Sequence, residues 1–483
     1  MAKILLINPN KWGRGITHIW IASHSGILKR NKHQVELFDA SFYTNWSLDE
    51  VKIQTNNKMY KKTNYKNFLK FNDSDILKEL QKKINKFKPD FIFWSAISSH
   101  IHGEGEYVNI QNGYDLLKSL NTKSAILLTG GLQATSAAEI ILKRMPKINY
   151  LIRGESELVL LEILNKYDNS NFEVLKNING ICFIEKRKFF QNPKQKIISD
   201  LDQLSPYDYD IFDDQVFIRP YNGEVIRGVD YEMSRGCIYS CNYCVETIIQ
   251  KYYGFEEASP KTGAINNFKS YLRHKSADTI FSEFIYLNKI KKIELIRCQD
   301  TNFLTNDRNV LSELAELINE SNLDIKLYIE TRPEGINEKS IELLKKLKVD
   351  GVGMGVELSD GDFREDELNR FANQKKTIYA FKLLKENKIK RTAYNIIGLP
   401  NQDEKSILQT IEFNKILNPD NITVAYYSPY YGTKSQKRGN ELGLFEEYES
   451  DVDSALRSKT KAKNMLTISC LNYYKEKFVS LVR

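Results

Sequence analysis

The stretch RGCIYSCNYC, residues 235 to 244, sets Cys237, Cys241 and Cys244 in a CxxxCxxC array directly after a strand-like run. Three thiolates on one short loop can hold three irons of a cuboidal 4Fe-4S cluster, and with no fourth cysteine nearby the last iron stays open to a small molecule. An open iron beside an aromatic residue, here Tyr243, suits chemistry rather than passive electron storage. Structural zinc closes with four ligands, and His274 is the only histidine after the trio. Three of the six cysteines crowd into eight positions of a 483-residue chain, which is no framework for a disulfide-stapled fold. Cys182, Cys298 and Cys470 stand alone and read as small packed hydrophobes.

Downstream and around this loop an alternating series of strands and helices begins. Its strands read YEMSRG (231–236), KIELIRCQD (292–300), KLYIETRP (326–333), GVGMGVE (351–357), TAYNIIGLP (392–400) and ITVAYYSPY (422–430), with amphipathic helices such as SIELLKKLK between them. Six such units predict a partial (β/α)6 barrel of TIM type, with active residues at the C-terminal strand ends. Asp300 and Asn302, Glu330 and Arg332, Glu357, and the Gly398-Leu399-Pro400 turn occupy those ends. Singly, each reads equally well as a loop residue or helix cap; as a set around the cysteine loop they read as a ligand shell. Residues 245–275 exceed what a cluster loop requires and form either a surface excursion or a lid. The stretch 431–483 is expected to add helices over the barrel's open side.

Upstream the chain alternates apolar strands (ILLIN 4–8, VELFDA 35–40, FIFWSAI 91–97, AILLTGG 125–131, YLIRGE 150–155) with helical segments. This predicts an α/β architecture whose first domain, residues 1–165, is a doubly wound, flavodoxin-like parallel sheet. A linker with a small hairpin near 180–190 spans 166–228, the barrel 229–430 and the helical extension 431–483. Open parallel sheets bind ligands beyond the carboxyl ends of their strands, so the candidate loops are 8–15, 95–102, 130–135 and 154–157. Gly130 and Gly131 alone read as a tight turn. His18 and His24 read as surface or capping residues, and His100 and His102 fall on the loop after the third strand.

Composition excludes little else. With 41% hydrophobic and 27% charged residues the chain reads as an ordinary globular protein, and a net charge of +8 spread over 70 basic and 62 acidic residues describes solvated faces. No nucleic-acid motif accompanies the lysines. No run approaches the roughly 20 apolar residues of a membrane span, and MAKILLINPN lacks the features of a signal peptide. The expected location is a reducing cytoplasm.

The cysteine trio with an aromatic residue before its last member, the order of the later segments, TGG after the fourth strand, RGESE after the fifth and the linker DLDQLSPYD together resemble the cobalamin-binding radical S-adenosylmethionine (SAM) enzymes, over residues 1 to about 430. The resemblance implies that Cys237, Cys241 and Cys244 hold a 4Fe-4S cluster whose open iron chelates SAM, and that the cofactor is cleaved there to a 5'-deoxyadenosyl radical. It implies Tyr243 and the backbone at Gly398 near the adenine, Arg332 at the SAM carboxylate, Glu357 at the ribose or amino group, and Asp300 and Glu330 in the same shell. It further implies cobalamin over Asn8, Asn10, Ser98, Gly130, Gly131, Gly154 and Glu155. Many cobalamin proteins carry DxHxxG after the first strand, whereas this chain reads NPNKWG from Asn8 to Gly13, so no histidine ligand to cobalt comes from there. The function so implied is methyl transfer to an unactivated carbon of a small-molecule or biosynthetic-intermediate substrate, with an external electron donor such as flavodoxin or ferredoxin. A cyclase or oxidoreductase with the same domains is the alternative, and a non-catalytic corrinoid or iron-sulfur carrier the further one. A methylthiotransferase would bring three more cluster cysteines in its N-terminal domain, and none precedes Cys182.

Overall fold

Strand β1 (Lys3–Asn8) is buried along almost its whole length, as a parallel strand covered on both faces must be. In the computed structural model, which describes residues 1–95, 110–167, 172–448, 458–461 and 466–483, it is joined by β2 (Gln34–Asp39), β3 (Phe91–Trp94), β4 (Ile126–Thr129) and β5 (Tyr150–Ile152). The order β2-β1-β3-β4-β5, all parallel, is the flavodoxin-like order expected from the alternation. The hairpin expected in the linker is β6 (Ile181–Glu185) with β7 (Lys188–Gln191). It continues the first sheet, because Ile181 and Cys182 pair antiparallel with β5. Helix Ile19–Arg30 is buried on nearly every side. His18 and His24 are therefore not surface residues: both are buried, and His24 is held by the Trp20 carbonyl at 2.6 Å and the Ser156 hydroxyl at 2.9 Å.

The second sheet contains β8 (Ile218–Tyr221), β9 (Glu224–Tyr231), β12 (Leu295–Cys298), β13 (Lys326–Thr331), β14 (Val349–Glu357), β15 (Lys390–Ile397) and β16 (Asn421–Tyr426), in the order β16-β15-β14-β13-β12-β9-β8. The two remaining strands, β10 (Ser234–Arg235) and β11 (Arg273–His274), form a separate ribbon. Six strands from β9 to β16 are parallel, as predicted, and β8 pairs antiparallel with β9. The first barrel strand lies earlier than the expected 231–236. Its polar residues hide it: Asp230 of β9 is buried against Arg219 of β8 at 2.6 Å and also accepts from the Thr17 hydroxyl at 2.9 Å. Asn222 and Gly223, at φ +54° and +95°, make the two-residue turn that joins β8 to β9.

The sheet curls until its edges approach, and the Asn421 amide of β16 donates to the Asn222 side-chain oxygen at 3.0 Å. The flank between these edges is packed by Met59 of the N-terminal half and by helix Ile468–Val482, in one apolar cluster with Val424 and Tyr426. Among the described residues no helix is long and apolar enough to cross a membrane.

The two sheets are tied together at Arg235, which has almost no exposure and lies two residues before the first cysteine of the trio. Its guanidinium meets Glu157 at 2.6 Å and Glu232 at 2.7 Å, and Glu155 at 3.6 Å. Arg273 of β11 holds Glu155 at 2.9 Å. Burial opposes ionisation of Glu157, yet Arg235 and His24 together hold its carboxyl below the ordinary range. Residues 245–275 contribute to this junction rather than standing apart from it: Tyr253 of helix Glu246–Tyr253 accepts from the Glu155 amide at 3.0 Å, and Tyr252 donates to Gln195 at 2.5 Å. Arg235→Ala leaves two buried carboxylates without their cation and should cost about 3–5 kcal/mol, read as a lowered urea midpoint. The exposed pair Lys118–Asp115 is the comparison, and Lys118→Ala should leave the urea midpoint essentially unchanged.

Candidate active site

The cysteine loop is held from outside, which leaves its sulfurs facing inward. Ser240 donates its amide to the Gly263 carbonyl at 2.8 Å, and Asn242 donates its amide to Leu368 at 2.9 Å and its side chain to Glu367 at 3.0 Å. The Asn369 side chain donates to the Ser240 carbonyl at 2.7 Å, and the Gln250 side chain to the carbonyls of Cys237 and Tyr239 at 3.0 and 2.9 Å. Cys237, Cys241 and Cys244 all line one cavity of about 430 Å³. The Tyr239 amide donates to the Cys237 sulfur at 3.4 Å, the kind of contact that tunes a cluster's potential. Burial pushes the Cys237 thiol up to about 12 and the Cys244 thiol well up, with Glu246 and Cys241 adding to the respective shifts. Such thiols ionise when iron compensates the charge. Among the described residues no three His, Cys, Asp or Glu side chains converge as a single metal ion would require. Three sulfurs that each bind a different iron need not converge in that way, so the donor set fits a cluster and not a closed zinc site.

The strand ends of the barrel complete the wall. Glu357 ends β14 at φ +62°, a left-handed conformation that costs a non-glycine residue about 1–3 kcal/mol and is concentrated at functional sites. It accepts from the Tyr243 hydroxyl at 3.0 Å. Arg370 stands 3.8 Å from Glu357 and donates to the Gly355 carbonyl at 2.5 Å. Arg332 stacks on the Tyr239 ring, 3.8 Å from its centroid, and its backbone amide and the Thr331 hydroxyl are both fixed by Asn302, at 3.4 and 2.7 Å. Arg332 Nη1 and Arg370 Nε are buried without a hydrogen-bond partner among the described residues. Two such guanidiniums beside the cysteines fit a ligand with a carboxylate, because an unmet buried N–H is costly and a guanidinium fork matches two oxygens.

Several expected site residues stand elsewhere. Asp300 is fully buried, and its carboxylate is taken by the Ser234 hydroxyl, the Met233 amide at 3.3 Å and the Asn306 side chain at 3.2 Å. It anchors the strand that leads into the cysteine loop and does not line the cavity. Gly398, at φ +83°, turns its backbone amide to Gln402 at 2.6 Å and its open face to Leu471, so the cavity wall here comes from Ile396. Glu330 does line the cavity, with its carboxylate bonded to Arg297 at 2.7 Å and Tyr394 at 3.0 Å. Arg370, Tyr239 and Tyr394 were not anticipated. Arg370 follows a helix rather than ending a strand, Tyr239 lies within the cysteine loop, and an inward-facing tyrosine on a strand, such as Tyr394, looks like core.

In the first sheet, the Asn10 amide donates to the Arg14 carbonyl at 2.9 Å and the Ser41 hydroxyl at 2.8 Å, and its oxygen accepts from the Trp12 amide at 3.0 Å. Asn10 thus shapes the loop. Asn8 is buried at the end of β1. Gly130 and Gly131 lie against the Ser95 carbonyl, and a Cβ on Gly131 would stand 3.2 Å from it. Gly154 and Glu155 face protein rather than a cleft: a Cβ on Gly154 would fall 2.6 Å from both Tyr252 and Tyr253, and Glu155 is held by Arg273. Ser98, His100 and His102 lie outside the described residues.

Comparison with known proteins agrees with this geometry. Residues 231–413 match the radical SAM superfamily. The anaerobic magnesium-protoporphyrin IX monomethyl ester cyclase of Rubrivivax gelatinosus is 25% identical over 374 residues, which cover 76% of this chain and 62% of the cyclase. The radical SAM methyltransferase TsrM of Kitasatospora setae, solved with tryptophan and a SAM analogue, superposes with a TM-score of 0.65 at 14% identity, covering 92% of this chain and 76% of TsrM. The cobalamin-dependent radical enzyme OxsB, solved with aqua-cobalamin and SAM, gives 0.64 at 15% identity, covering 99% and 67%. Residues 231–413 thus carry a radical SAM domain, and the chain as a whole has the two-domain fold of TsrM and OxsB. A radical SAM domain implies a 4Fe-4S cluster and SAM, for which the cysteines and guanidiniums above are suited.

The burial of Asp300 has a pH signature. Its folded-state pKa is pushed up to about 6 by burial, against the hydrogen bonds of Ser234, Asn306 and Met233. A group whose folded pKa is raised contributes stability that is present below the unfolded value, near 4, and lost as pH rises through the folded value. Wild-type stability to urea should fall between about pH 4.5 and 6.5 more steeply than that of Asp300→Asn, the two curves differing in slope and not only in height.

Proposed function

We propose that this chain is a cobalamin-dependent radical SAM methyltransferase acting on a carbon of a small molecule. The observation that carries the reading is the single cavity in which the three cysteines, the Tyr243–Glu357 pair and the guanidiniums of Arg332 and Arg370 meet. When bound, the cluster and SAM supply radical initiation, and cobalamin supplies a methyl carrier. The chain's own part is to bind and orient. Cys237, Cys241 and Cys244 hold the irons; Arg332 and Arg370 take the SAM carboxylate; Glu357 accepts from its amino group or ribose, kept in place by Tyr243. The cobalamin would lie beyond the carboxyl ends of β1, β3 and β4, near Asn8, Asn10, Gly130 and Gly131, where open α/β sheets bind ligands. Asn10, fully engaged in its loop, gives no nitrogen to cobalt.

Ring closure is the second reading, supported by the cyclase relative. The chain spans 62% of that protein's length. A cavity of about 430 Å³ is small for a tetrapyrrole beside SAM, and this favours methylation. After anaerobic reconstitution the wild type should hold about four irons and form 5'-deoxyadenosine from SAM, and the triple alanine variant of Cys237, Cys241 and Cys244 should do neither. Arg332→Ala should raise the KM for SAM roughly tenfold or more, as loss of a charged hydrogen bond does. Product mass separates the readings, since methylation adds a CH2 unit and ring closure does not. Cobalt EPR of the loaded protein should lack hyperfine structure from a protein nitrogen; its presence would remove the reading of Asn10.

A further inference from the structure

The cavity continues past the cofactor shell into the barrel lumen. Below Glu357, β14 presents glycines: a Cβ on Gly353 would lie 2.5 Å from the Tyr394 hydroxyl, and one on Gly351 would lie 2.9 Å from the Tyr328 ring. These absences let two tyrosine rings stand in the lumen. The phenols of Tyr328 and Tyr394 are 2.9 Å apart, Tyr394 donates to Glu330 at 3.0 Å, and Arg297 fixes Glu330 at 2.7 Å. Tyr221 packs edge-on to Tyr328 with ring centroids 6.2 Å apart. Fixed aromatic walls of this kind favour a flat, largely apolar guest, which meets their faces and edges without ordering them further.

The flank of the lumen is supplied by the other half of the chain. Tyr60 and Lys61 of the N-terminal half line the cavity, as does Lys475 of the last helix, which is buried and donates to the Val424 carbonyl. The Lys61 stem lies over Gly223, whose Cβ would stand 3.4 Å from it. Among the described residues ten charged ones line the cavity, and seven of them are lysine or arginine. Arg332 and Arg370 belong to the cysteine end; of the other five, Arg14, Arg219 and Arg297 are paired with Glu50, Asp230 and Glu330, and the basic character of the flank comes from Lys61 and Lys475. The lumen walls are therefore aromatic, with a basic flank. The whole volume, about 430 Å³, falls low in the range of roughly 300–1,000 Å³ typical of small-molecule sites and is shared with the cofactor.

We propose that the lumen below Glu357 is the substrate chamber and takes a compact planar ring compound bearing a carboxylate. The ring lies among Tyr221, Tyr328 and Tyr394, the carboxylate faces the flank of Lys61 and Lys475, and the reacting carbon points to the cysteine end. The orientation rests on the radical SAM reading above. The N-terminal half thereby supplies Lys61 as a specificity residue for chemistry carried out in the barrel.

The test uses full-length holoenzyme, reconstituted anaerobically with SAM present, and measures binding of 2-naphthoate and its neutral match 2-naphthamide by equilibrium dialysis. Naphthoate should bind at least about tenfold more tightly than the amide. Lys61→Glu, a change at an exposed position, should remove that preference while amide affinity changes less than about twofold. Tyr328→Ala should weaken both probes. Equal affinities in the wild type, an unchanged preference in Lys61→Glu, no saturable binding of either probe, or displacement of naphthoate by protoporphyrin would each overturn the chamber as described. Formation of 5'-deoxyadenosine by the same preparation reports separately on the radical SAM reading, so failure of one is not mistaken for failure of the other.

Discussion

Arg235 is the cation on which the arrangement depends. Three carboxylates, Glu155 from the loop after β5, Glu157 from the start of the helix that follows and Glu232 just beyond β9, surround a guanidinium that water does not reach. A buried charge of this kind is not a source of net stability when compared with apolar packing, but it tolerates only one geometry. That geometry fixes the cysteine loop, which starts two residues later, against the first sheet. Tyr207 extends the network by donating to Glu232 at 2.6 Å. The connection between the halves is therefore ionic and directional at the cluster, and apolar around it.

The cavity exists because side chains are withheld from its centre and polar groups are placed on its rim. β14 withholds side chains at Gly351, Gly353 and Gly355, and a Cβ on Gly355 would stand 2.3 Å from the Glu357 carboxylate. Strain at Glu357 is tolerated because Tyr243 and Arg370 hold the carboxylate from two sides. Tyr243 and Arg370 thus set Glu357 as an acceptor at the cysteine end of the cavity. Stability is exchanged for a fixed position, the usual condition of a site that must bind before it reacts.

The first sheet shows a comparable substitution of roles. Loop 8–15, at the carboxyl end of β1, turns toward the barrel: Arg14 pairs with Glu50 at 2.8 Å and both line the barrel cavity. Asn10 satisfies the turn that allows this. A neutral histidine there offers one donor and one acceptor, whereas the Asn10 amide donates two bonds and accepts one, so the loop would lose a hydrogen bond. The missing motif is therefore matched by a loop built for contact with the other half.

Much of this was legible in the chain. Apolar strands at regular intervals dictate parallel sheets, because only strands covered on both faces can be apolar throughout, and the cysteine spacing dictates three sulfurs on one loop. Arg332, Glu357 and Glu330 were readable as cavity residues from their place at strand ends. The hairpin at Asn222-Gly223 was readable in principle from its turn residues, but Asp230 and Arg219 disguised the strands on either side as polar surface. Asp300 and Gly398 share the same strand-end position as Glu357 and yet serve the scaffold, since their groups meet Ser234 and Gln402 before any ligand. Lys61, Arg370 and Tyr394 come from segments with no local mark of function. Local sequence determines which elements form, through periodicity and turn chemistry; which polar side chain is left facing a cavity depends on partners hundreds of residues away, and only the tertiary structure decides that.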